Sequence, residues 1–127
     1  MGKEIIRTDD AAPAAGAYSQ ATTDGDLVFT AGQIALTPEG EPLDAEPIEV
    51  QTERALENLE AILEEAGTGL EHVLKTTVFL ADIDDFEAMN EAYAEFFDSD
   101  PPARSAVQAG ALPLGVAVEI EAVATRP

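Results

Sequence analysis

Cysteine is absent from the 127-residue chain, which excludes disulfides, thiolate nucleophiles and thiolate metal sites. Histidine occurs once, at His72. Two-histidine zinc motifs are therefore excluded, and a Ser-His triad would have to be built around this one residue. His72 follows Gly69 in what reads as a helix-to-strand connection, where a solvated loop role suits it. Lysine and arginine together number 6 against 26 acids, for a net charge of −20. A duplex-binding surface needs clustered cations that release counterions from phosphates, so nucleic acid is not an expected partner. No stretch approaches the roughly 18 continuous apolar residues of a membrane span, and the amino terminus lacks a basic region followed by an apolar run. These absences lead us to expect a soluble, cytoplasmic protein that does not engage membranes.

Apolar residues nevertheless make up 46% of the sequence, too many for the low-hydrophobicity signature of disorder. The length suits a single domain spanning residues 1–127 with one core. The acids must then coat a folded body, a pattern suited to concentrated salt, where the Debye length falls to about 3 Å and self-repulsion is screened. A halophilic habitat is the expectation. Unfolding midpoints should rise steadily from low to molar KCl, and a flat or falling series would refute it.

The order of elements can be read from periodicity and punctuation. Glu4 to Thr8 reads as a first strand, and a Pro/Ala/Gly loop from Ala11 to Ala17 delivers Tyr18. Tyr18 to Thr22 and Leu27 to Gln33 flank Asp24-Gly25, a hairpin turn signal. Pro38, Gly40 and Pro42 mark a surface loop between Ala35 and Glu46. Pro47 suits the first turn of a helix running to about Ala66, with Thr52, Ala55, Leu56, Leu59, Ile62, Leu63 and Ala66 on one face and Gly67 as the stop. Val73 to Ala81 is rich in β-branched residues and reads as a strand. Asp84 and Glu87 have capping-box spacing ahead of a second helix to about Phe97, whose stripe is Phe86, Met89, Tyr93, Phe96 and Phe97. Asp98 to Pro102 breaks that helix, and final strands run near Arg104 to Ala109 and Val116 to Thr125. The expected fold class is α+β, a mostly antiparallel sheet with two helices on one face. Val28, Val78, Val107 and Val118 are candidates for the other face, which a second copy of the chain would have to cover.

Arg104 stands out as a cation among small and apolar neighbours in an acidic chain, which suggests an anion site. Glu119 lies on what reads as the adjacent strand. If the last two strands pair antiparallel, the two share a face only when paired residue numbers sum to an odd value, as with Ala106 opposite Glu119. Other readings stay open on the residues alone. Arg104 fits a structural ion pair, Tyr18 a core or interface aromatic, and Glu119 an exposed member of an alternating strand. Asn90 falls on or beside the apolar stripe of the second helix, and fits either an amide tying down a loop or a member of a site.

The run Pro102-Ala103-Arg104-Ser105-Ala106-Val107, then Gly110-Ala111-Leu112 and Val118-Glu119-Ile120, resembles the C-terminal signature of the RidA/YjgF reactive-intermediate deaminases. Ala17-Tyr18-Ser19-Gln20, Phe29-Thr30-Ala31-Gly32-Gln33-Ile34, and Lys75-Thr76-Thr77-Val78-Phe79 leading to Asn90 and Tyr93 agree in order and spacing, so that the resemblance covers nearly the whole chain. It implies a chorismate-mutase-like subunit, a homotrimer with three clefts between subunits, and no metal or organic cofactor. The implied activity is hydrolysis of 2-imino acids and their enamines, such as 2-iminobutanoate and 2-iminopropanoate, to 2-keto acids and ammonia. A second reading keeps the same fold and cleft as a non-catalytic, holdase-like or carboxylate-binding trimer.

Carried over residue by residue, the resemblance gives Arg104 the substrate carboxylate, Glu119 the attacking water, and a backbone N–H near Ala31 or Gly32 a further contact to the carboxylate. It has Tyr18 closing the cleft and Asn90 shaping the pocket floor or holding the Arg104 loop. Positions 31 and 106 are alanine here, where relatives often carry serine and cysteine. Neither group is needed for water to add to an imine, so Ala31 and Ala106 imply altered fit or rate and not a lost reaction.

Overall fold

The computed structural model describes residues 2–97 and 99–127. Asp98, the first residue of the predicted helix break, lies outside them. The element order is the expected one: strands β1 (Glu4–Ile6), β2 (Ala21–Thr23) and β3 (Leu27–Thr30), helix α1 (Ile48–Glu65), strand β4 (Val73–Leu80), helix α2 (Phe86–Ala94), then strands β5 (Ala103–Gln108) and β6 (Val118–Thr125). The six strands form one mixed sheet in the order β1-β2-β3-β6-β4-β5.

Local chemistry accounts for most boundaries. Asp24 accepts hydrogen bonds from the Asp26 and Leu27 backbone N–H groups, which lowers its pKa, and Gly25 takes φ +109° between β2 and β3. Tyr18 falls short of the expected strand, because pairing between β1 and β2 runs only from Ala21 to Thr23. Pro47 is the N-cap of α1 and not a residue of its first turn, and Gly67 at φ +86° ends the helix through a bond from its N–H to the Glu64 carbonyl. Each of the seven expected core positions, six on α1 and Ala66 at its C-cap, is buried. The Asp84–Glu87 capping box does not form. Asp82 accepts from the Asp84 N–H in a 3-10 turn over Ile83–Asp85, and α2 begins behind that turn and ends at Ala94, three residues short of the expected end.

One prediction about topology is overturned: β5 and β6 are not neighbours. Strand β4, helix α2 and strand β5 form a βαβ unit, in which the crossover helix returns the chain parallel to its starting strand, so β5 pairs parallel with β4. Strand β6 inserts between β3 and β4 and runs antiparallel to both. Both helices pack on one face against Val28, Val78, Val118, Ile120 and Ala124. Three of the four valines proposed for the open face therefore belong to the core. The side of the sheet away from the helices carries Phe29 and Val107, both about half exposed, together with Phe79.

Candidate functional site

The sheet's register determines what Arg104 and Glu119 can do. On β4, Arg104 sits opposite Thr76 through the parallel ladder, and Glu119 opposite Phe79 through the antiparallel one. Thr76 is fully buried beneath the helices. Phe79 is three residues further along a period-two strand and so points the other way. Arg104 and Glu119 of one chain therefore lie on opposite faces of the sheet. The structure divides the predicted site residues into two groups.

The first group lies where α2 crosses the edge strand β5. The Arg104 guanidinium stacks over the Tyr93 ring, 4.7 Å from its centroid, and over Phe86 at 5.3 Å. Its Nη1 donates to Asn90 Oδ1 at 2.7 Å. Tyr93 is fixed in turn by a 2.7 Å hydrogen bond between its hydroxyl and Thr76 Oγ1, and burial raises the Tyr93 pKa, keeping the phenol neutral. Ala106, two residues along from Arg104 and opposite Val78, packs its methyl against the core. Arg104 makes no ion pair with any described carboxylate. It is held by an amide and two rings, which leave most of its donor fork uncommitted. Phe86 and Tyr93 are functional candidates to which the sequence reading gave no site role, placing both in the core stripe and Tyr93 also among the residues of the family resemblance. Their spacing with Asn90, at i, i+4 and i+7, was the available signal, since it puts all three on one face of α2.

The second group lines a cavity of about 420 Å³ containing Tyr18, Ala31, Gly32 and Glu119. Desolvation raises the Glu119 pKa, and the nearby Glu121 charge raises it further. A Cβ on Gly32 would overlap the Glu119 carboxylate, so the glycine is what lets that carboxylate lie against the backbone. Of the two N–H groups considered near position 31, that of Ala31 donates to the Gln20 carbonyl at 2.8 Å, which leaves Gly32 as the candidate donor. Tyr18 is 52% exposed, and its hydroxyl accepts from the Ala15 N–H.

The loop carrying Tyr18 is tied down by a residue that sequence reasoning missed. Buried Gln20 donates to the Thr8 and Ala12 carbonyls and accepts from the Thr8 N–H. On α1, Asn58 likewise donates to the Ile34 and Leu36 carbonyls, and Gln51 accepts from the Ala117 N–H. These amides satisfy loop backbone that would otherwise be buried without partners. They thereby hold both walls of the cavity.

A family model described as endoribonuclease L-PSP matches residues 8–126, and a RutC family protein of Pyrococcus abyssi is 48% identical over 124 residues, 98% of each chain. The chain belongs to the RidA/YjgF family. Among its relatives, the chloroplastic reactive intermediate deaminase A of Arabidopsis thaliana is 45% identical over 97% of this chain and 66% of that one. The structure of E. coli TdcF with bound serine superposes with a TM-score of 0.93 at 41% identity, covering 98% of this chain and 99% of that chain. The two helices on a mixed six-stranded sheet are thus the RidA/YjgF fold. Among the described residues, no helix is long and apolar enough to cross a membrane, and no three His, Asp or Glu side chains cluster as a metal site.

Proposed function

We propose that this protein is a homotrimeric deaminase that hydrolyses 2-imino acids and their enamine tautomers to 2-keto acids and ammonia. One observation carries the reading: the anion-binding guanidinium and the partly desolvated carboxylate lie on opposite faces of the sheet. Two half-sites of complementary chemistry become one site when Arg104 of one copy faces Glu119 of the next. The exposed Phe29 and Val107 give the open face a reason to be covered by such a copy. The deaminase name of the Arabidopsis relative and the serine bound to TdcF, an amino acid carrying the same carboxylate, support the same substrate class.

In this mechanism Arg104 holds the substrate carboxylate through two charge-assisted hydrogen bonds, with the Gly32 N–H as a further donor. Glu119 takes a proton as water adds to the imine carbon; the C–O bond forms and the C=N π pair moves to nitrogen. Glu119 then returns a proton to that nitrogen. Collapse of the carbinolamine then transfers its hydroxyl proton through Glu119 to the nitrogen, breaks the C–N bond, releases ammonia and leaves the keto group. Tyr18 covers the cleft, while Asn90 and Ala106 shape the Arg104 side. No step needs a group beyond the chain and water. The charge of −20 argues against the RNA substrate in the family model's description.

The test couples a threonine dehydratase to this protein and follows 2-ketobutyrate release while a scavenging amine competes for the imine. Acceleration by the wild type, at high as well as low salt, is expected. Binding of 2-keto acids without acceleration would instead establish the non-catalytic reading. Asn90→Ala should weaken retention of the substrate carboxylate, with KM rising about tenfold or more. Measured steady-state parameters showing an unchanged KM would remove Asn90 from the site.

A further inference from the structure

The half of the cleft that contains Glu119 is mostly apolar away from that carboxylate. Pro13, Ala14, Ile34, Leu36 and Leu114 share its lining. Leu114 is anomalous among them. It sits at φ 58°, ψ 17°, the left-handed region that disfavours bulky residues, and the residue is 60% exposed. Glycine or asparagine would hold such a turn at lower cost. The turn itself is well fixed: the Gly115 N–H donates to the Leu112 carbonyl, the Val116 N–H to the Pro113 carbonyl, and the Ala117 N–H to Gln51. A leucine is therefore held out into solvent, at a strained backbone position, five residues before Glu119 and in the same cavity. Strain of this kind collects at functional positions.

We infer that Leu114 is a specificity-determining residue that makes the site prefer 2-imino acids with extended aliphatic side chains over those with methyl or ethyl groups. The inference rests on the imine-hydrolysis reading. The polar end of such a substrate is short, and Arg104, the Gly32 N–H and Glu119 account for it. What remains is the substrate's own side chain, and the cavity of about 420 Å³ offers it Leu114 on one side and Pro13, Ala14, Ile34 and Leu36 on the other. Each additional methylene leaves water for an apolar wall, which favours the longer substrate by roughly fourfold per carbon, or about 15-fold between ethyl and butyl.

An amino-acid oxidase would generate the ethyl, propyl and butyl 2-imino acids in place, and the readout is the ratio of kcat/KM for butyl to that for ethyl. Loss of folded protein cancels in this ratio. The wild-type ratio is expected to be about 15, falling to about 3 in Leu114→Asn, because asparagine tolerates the left-handed turn but withdraws the apolar wall. Leu114→Gly, which relaxes the turn altogether, should give the same low ratio. A wild-type ratio near one, or an unchanged ratio in both variants, overturns the inference. Binding of the matching 2-keto acids, measured by calorimetry, separates this result from the function itself. If no imine is hydrolysed, the deaminase reading falls. Leu114 is then still the wall that selects the ligand's side chain if keto-acid affinity rises with chain length in the wild type and flattens in Leu114→Asn, and that role falls too if the affinities are flat throughout.

Discussion

Arg104→Ala and Glu119→Gln chains, each nearly inactive alone, are expected to recover about a quarter of the wild-type rate when co-assembled in equal amounts. The figure follows from the opposed faces of the sheet. If each site takes its guanidinium from one subunit and its carboxylate from the next around a three-fold ring, every mixed trimer contains one intact site of three. Random assembly makes three-quarters of the trimers mixed. A site built within one chain would recover nothing, since no chain in the mixture carries both groups. Arg104→Ala should lose on the order of 10²–10³-fold in kcat/KM, the loss expected when the substrate carboxylate is left without its partner in a desolvated charge pair. Arg104→Lys should be almost as damaging as Arg104→Ala. An ammonium cannot present two parallel donors, and it gives up the planar stacking on Phe86 and Tyr93 that aims the fork. Full activity in the lysine variant would rule out bidentate binding.

How far the sequence can be read depends on whether a feature is local. The apolar stripe of α1, its Gly67 stop and the Asp24-Gly25 turn are decided by residues within a few positions of one another, and they stand where periodicity and turn chemistry put them. The insertion of β6 between β3 and β4 is decided by which strands find one another across the whole chain. Nothing within Val118–Thr125 records that choice. The same distinction runs through the site. Arg104 was conspicuous by its own chemistry, but the face it occupies depended on the β4–β5 pairing, which follows from the βαβ connection and could have been inferred from the helix between them. Buried Gln20, Gln51 and Asn58 look like surface residues until the carbonyls they satisfy, 5 to 24 positions away, are in place.

Glu119→Gln should abolish most turnover while stabilising the fold at neutral pH. Burial and the Glu121 charge hold the Glu119 pKa above the ordinary carboxylate value of 4.5. The folded state therefore binds this proton more tightly than the unfolded chain does. Stability from that linkage is fully present below the ordinary value and is lost as pH rises through the raised one, so an ionised Glu119 weighs against folding at pH 7. A neutral glutamine removes that burden, and its advantage in Tm should shrink to nothing as the pH falls below the ordinary range. Turnover should move the opposite way. Wild-type kcat/KM should fall as acid protonates Glu119, and this limb, displaced above 4.5, should be missing from the residual activity of Glu119→Gln, itself down about 10²–10⁴-fold. Gly32→Ala separates the presence of the carboxylate from its position. The added methyl would occupy the space of the Glu119 side chain and push the carboxylate off the backbone it lies against. Turnover should then fall as in Glu119→Gln, yet without the gain in neutral-pH stability, because the charge is displaced and not removed. A Gly32→Ala enzyme with the wild-type rate would mean that the carboxylate acts from somewhere other than the Gly32 cradle.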